Sequence, residues 1–71
     1  MRDPKRIARL LELYARVWEQ CPDLRFYQLS KYIAKRAGYP EDPFYCEDDK
    51  IIDTLTTILS ESQNSKYYHL P

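Results

Sequence analysis

Pro4, Pro22, Pro40 and Pro43 cut the chain into three stretches whose apolar residues recur at helical spacing. Proline fits the first turn of a helix, where its missing N–H has no intrahelical partner, and breaks a helix anywhere deeper. A single glycine in 71 residues points the same way, because a hairpin-rich β protein needs glycine at several turns. The expected architecture is all-α: a small three-helix domain with an aromatic and acidic linker before the last helix. It is expected to occupy residues 1–61, with a polar, flexible tail over 62–71.

Asp3-Pro4 reads as the start of a helix over 4–20, with Asp3 as its cap. Ile7, Leu10, Leu11, Tyr14, Val17, Trp18 and Cys21 form its apolar stripe, and Glu12 stands one turn before Arg16. After Pro22, Asp23 is placed to cap a second helix that Gly38 closes from the C′ position. Phe26, Leu29, Ile33 and Ala37 make its core side, joined by Leu24, Ala34 and part of Tyr27. Gln28, Lys31, Tyr32, Lys35 and Arg36 fall on the opposite side, where the two terminal cations also suit the helix dipole. A third helix over 48–60 carries Ile51, Ile52, Leu55, Ile58 and Leu59. Thr54, Thr56 and Thr57 lower its intrinsic propensity, so packing must hold it.

Between the second and third helices lies "EDPFYCEDD", residues 41–49, with five acids around Phe44 and Tyr45. Asp42-Pro43 can begin a turn as Asp3-Pro4 does, and Glu47, Asp48 and Asp49 suit the positive end of the following helix. The aromatic pair is expected to plug the small core. A turn, a plug and a cap account for the whole stretch.

Net charge is zero, yet residues 1–36 hold nine Lys/Arg against four Asp/Glu, and residues 37–71 hold two against seven. Intramolecular complementarity, a basic binding face or a partner spanning both halves would each explain that polarity. No apolar run approaches the roughly 18 residues of a membrane span, and "MRDPKRIARL" does not read as a secretory signal. The expectation is a soluble, cytoplasmic protein with no membrane contact, in which Cys21 and Cys46 remain reduced thiols.

The pieces "RDPKRI", "LLELYARVW", "PDLRFYQL" and "DPFYCEDDKIIDTL" resemble the YihD-type family of short bacterial proteins over residues 2–59. That resemblance implies an all-helical fold and a bacterial or phage-borne origin. The family brings no catalytic residue with it.

Catalysis finds no support in the residue pattern. His69 is the one histidine and stands in the tail, and no nucleophile, base and orienter fall together. Zinc needs clustered Cys and His, and an EF-hand loop needs alternating oxygen ligands around a glycine, so neither a metal nor another cofactor is expected. Binding remains. Seven tyrosines exceed what three short helices can hide, and tyrosine favours interfaces. The leading expectation is a non-catalytic accessory module that binds another protein through helix faces. Its candidate surface is Gln28, Lys31, Tyr32, Lys35, Arg36 and Tyr39, with Arg2, Lys5, Arg6, Arg9 and Tyr45 secondary. The polarised charge also permits a homodimer, one protomer's basic half against the other's acidic half. The alternative is a small nucleic-acid-binding regulator using the basic face of the first two helices. The acidic linker and a pI near 6.5 argue against it.

Overall fold

Two buried side chains from each of three helices build the core: Leu13 and Val17, Leu29 and Ile33, Leu55 and Ile58. The helices are α1 (Lys5–Gln20), α2 (Phe26–Arg36) and α3 (Asp48–Asn64). The computed structural model describes residues 2–64, with side chains through residue 61. Among these there is no strand, and α3 packs against both of its predecessors, more extensively against α1. The all-α, three-helix expectation holds. Residues 61–64 continue α3 beyond the expected end at 60, so that 62–64 of the expected tail are helical, and the rest of that tail, with His69, lies outside the described residues.

α1 begins as its sequence asks. Pro4 has helical φ of −65°, and the Asp3 carboxylate accepts the Lys5 amide at 2.9 Å. The buried stripe, however, is rotated toward Leu13, which the sequence reading left out, and Ile7 and Leu11 face water. Leu13 and Val17 stand one turn apart and share the core cluster with Leu55 and Ile58 of α3, while Ile7 and Leu11 lie outside it, so the apolar face is wider than the buried one. Glu12 and Arg16 pair at 3.1 Å across one turn of the exposed side.

α2 starts two residues later than an Asp23 cap would require. Its entry is made by Gln28, whose Oε1 accepts the Arg25 amide at 2.7 Å. Arginine has no acceptor to return, so this is the glutamine half of a capping box. The start is also held sideways. The Trp18 indole N–H donates to the Leu24 carbonyl at 2.8 Å, and the Tyr14 hydroxyl reaches the Phe26 carbonyl at 3.0 Å and Ser30 Oγ at 2.6 Å. Phe26 was expected in the core. It caps the core's end instead, half exposed, with its ring 5.5 Å from Tyr14 and 6.0 Å from Trp18. Tyr27 is 82% exposed and contributes nothing to the core side.

The end of α2 is a Schellman turn: the Tyr39 amide donates to the Ala34 carbonyl at 2.9 Å and the Gly38 amide to Lys35 at 3.1 Å. Gly38 sits at φ +99° to make it. In α3 the three threonines each donate to the carbonyl four residues back, at 2.8–3.0 Å. That satisfies their hydroxyls, including that of buried Thr54, without leaving the helix.

A Cβ at Gly38 would touch nothing within 4 Å, so Gly38→Ala isolates the backbone term. It is expected to cost about 1–2 kcal/mol, read as a lower urea midpoint with an unchanged m-value.

Candidate protein-interaction surface

The linker between α2 and α3 repeats the device that opens α1. Asp42 Oδ1 accepts the Phe44 amide at 3.0 Å, and the Cys46 amide then donates to the Pro43 carbonyl at 2.8 Å. The second bond closes a four-residue turn with Phe44 and Tyr45 at its two corners. Corner side chains point away from the converging chain ends, and the core is already filled by six aliphatic residues. The expected aromatic plug is therefore not one. Phe44 and Tyr45 are 79% and 82% exposed, edge to face with centroids 4.9 Å apart.

Beside this turn runs a groove of about 340 Å³ between α2 and the linker. Tyr27 and Lys31 line it from α2, Tyr39, Pro40 and Pro43 from the linker, and buried Ala34 lies among them. Ser30 and Glu41 complete its lining. Tyr27, Ser30, Lys31 and Ala34 follow at helical spacing, so they form a second stripe on α2, displaced from the core stripe of Leu29, Ile33 and Ala37. That spacing was readable in the sequence. The joining of the stripe to Pro40 and Pro43 was not, because it depends on how the Schellman turn aims the chain.

The face expected on α2 divides in two. Lys31 and Tyr39 belong to the groove, and Lys35 is exposed near the same helix end. Tyr32 does not point away from the core: it is half-buried and packs against it. Its hydroxyl accepts Arg36 Nη1 at 2.8 Å, with the guanidinium carbon 5.8 Å from the ring centroid. Arg36 Nη2 meanwhile reaches both Glu61 carboxylate oxygens at 2.7 and 2.8 Å. Gln28 is occupied at the helix start, as described.

The secondary candidates are drawn inward too. Arg2 pairs with Glu47 at 2.9 Å and Arg6 with Asp48 at 2.7 Å. Lys5 and Arg9 are exposed and have no ion pair among the described residues. Three of the four described ion pairs thus join the basic first half to the acidic second half. Intramolecular complementarity accounts for much of the charge polarity.

Neither thiol is drawn toward its thiolate. Both cysteines are free and half-buried. Burial pushes the Cys21 thiol up, and its Sγ donates to the Val17 carbonyl at 3.4 Å. Burial also raises Cys46; Lys50 opposes the rise, and Asp48 and Glu47 add to it. Among the described residues no group of three His, Cys, Asp or Glu could hold a metal ion, and no helix is long and apolar enough to cross a membrane. Fold and surface together define a small three-helix protein with an exposed aromatic turn and an adjoining groove. No family model, no curated protein and no solved structure matches the chain.

The Tyr14 phenol gives a pH test of the α1–α2 contact. Burial raises its pKa, the Ser30 hydrogen bond lowers it, and nearby Cys21 raises it slightly. The net shift is upward, so the stability it carries is present below the ordinary tyrosine value of about 10 and is lost as pH rises through the folded value. Tyr14→Phe should remove the phenol's share of this alkaline loss and lower neutral-pH stability by about 1 kcal/mol through the missing hydrogen bonds. Urea titrations at neutral and alkaline pH read both effects.

Proposed function

We infer that this is a non-catalytic protein-binding module whose contact surface is the aromatic turn at Phe44 and Tyr45 with the groove beside it. One observation carries the reading: large aromatic side chains stand in water while the core is closed without them. Aromatic residues on a turn are efficient anchors, since they bring large, stiff, partly apolar surface to a partner. The reading moves the contact surface from the α2 face to the α2–linker edge. Lys31, Tyr39 and Tyr45 remain in it, and Gln28, Tyr32 and Arg36 leave it for structural work. The proposed kinship with the YihD-type proteins bears on fold and bacterial or phage origin, and adds no site.

Nucleic-acid binding is the weaker reading because Arg2, Arg6 and Arg36 already hold carboxylates. A phosphate would have to displace them or rely on the remaining exposed cations, Lys5, Arg9, Arg25, Lys31, Lys35 and Lys50.

Tagged protein passed through a bacterial lysate should retain a partner protein after nuclease treatment and in moderate salt. The variant carrying Phe44→Ser and Tyr45→Ser should lose that partner while keeping its helical circular dichroism. Recovery that collapses with nuclease, or that falls log-linearly with salt, would transfer the function to the exposed cations.

A further inference from the structure

The surface just described has properties that specify its partner further. A two-fold interface requires one patch to carry both the projecting group and the recess that receives it, because residue i of one copy meets j of the other and j meets i. Here the projection and the recess are neighbours in the chain. Pro43 lines the groove, and Phe44 and Tyr45 follow it directly. The groove lining, with Tyr27, Tyr39, Pro40 and Pro43, is apolar enough to take an aromatic ring.

The rim charges have the same self-complementarity. Lys31 borders the groove on the α2 side and Glu41 on the linker side. Both are exposed, and neither has an ion pair among the described residues. A two-fold axis placed across the groove, so that each copy's α2 wall meets the other's linker wall, would set each Lys31 against the other copy's Glu41. The dimer anticipated from charge polarity alone, basic half on acidic half, has lost most of its means, since Arg2, Arg6 and Arg36 are paired within the chain.

Resting on the protein-binding reading above, we propose that the groove's occupant is a second copy of this chain. Phe44 and Tyr45 of each copy enter the groove of the other, with two Lys31–Glu41 pairs at the rim. The patch is small, so the dimer is weak, with a dissociation constant on the order of 10–100 μM. The pairs fix register and partner more than they add affinity.

Sedimentation equilibrium over a concentration series tests this through a charge exchange. Wild type should pass from monomer to dimer. Lys31→Glu alone faces Glu against Glu twice across the axis, and Glu41→Lys alone faces Lys against Lys; each should weaken the dimer about tenfold or more. The double exchange should restore it. An equimolar mixture of the two single variants should also form a heterodimer, since every rim pair is then opposite in sign. Phe44→Ser should abolish association of all forms. Circular dichroism confirms that these exposed substitutions leave the helices intact. Single exchanges that dimerise like wild type, or a double exchange that stays monomeric, would overturn the arrangement. A wild type that is monomeric up to about 1 mM yet still retains a nuclease-resistant partner through Phe44 and Tyr45 would overturn the dimer and leave the protein-binding reading standing. Monomer with no such partner would end both.

Discussion

The structure depends on a very small aliphatic core. Six side chains, two from each helix, are all but removed from water, and each contributes roughly 1.5–3 kcal/mol by its burial. A chain of this length buries only about 60% of its unfolded surface, so the remaining order comes from partly buried hydrophobics packed against that core, among them Trp18, Leu24, Ile51 and Ile52, and from polar contacts at the edges. Those contacts are found where the helices begin and end. The Trp18 indole and the Tyr14 hydroxyl tie α1 to the start of α2, and Arg6 and Arg36 tie α3 to α1 and α2 at opposite ends. Each is worth about 1 kcal/mol or less when exposed. Together they fix the angles at which three short helices meet.

Local signals were legible in proportion to how local their cause is. The helix count, Asp3 and Asp42 as acceptors before proline, and Gly38 as the left-handed residue all follow from a few neighbouring residues, and all appear in the fold. The aliphatic stripe of α3 was legible too, because Leu55 and Ile58 have no competing apolar face. α1 was harder. Seven apolar residues cover more of its circumference than one neighbour can bury, so periodicity alone could not choose between Leu13 and Leu11. The aromatics misled for a related reason. Phe26, Phe44 and Tyr45 are as apolar as core residues, and only the turn geometry and the filled core put them outside. The candidate surface was thus half legible: Lys31, Tyr39 and Tyr45 were named from sequence, and the prolines that shape the groove were read as punctuation.

The polarity of the two chain halves has a structural origin that weakens its value as a functional signal. Residues 2 and 6 at the head of α1 lie against residues 47 and 48 at the head of α3, and Arg36 at the tail of α2 lies against Glu61. Asp48 and Asp49 stand in the first turn of α3 and Lys35 and Arg36 in the last turn of α2, where the helix dipoles favour them. The same charges therefore serve helix ends and helix pairing at once. A basic half-sequence is a footprint for nucleic acid only if its cations remain available, and here the best-placed arginines do not.

An exposed Phe44–Tyr45 pair on a small, marginally stable protein is an aggregation hazard unless something restricts what it touches. The flanking acids supply that restriction. Glu41 and Asp42 precede the pair and Asp49 follows it, none of them in an ion pair among the described residues, so indiscriminate stacking of one turn on another would bring like charges together. Only a partner that meets the aromatic pair with an apolar recess and places a cation near the flank escapes the repulsion. The groove beside Pro43, with Lys31 on its far wall, has that combination of features. On the proposed binding reading the acids divide the work: Asp48 and Asp49 begin α3 by complementing its dipole, and the unpaired Glu41, Asp42 and Asp49 would select, by repulsion, which surfaces the aromatic turn accepts.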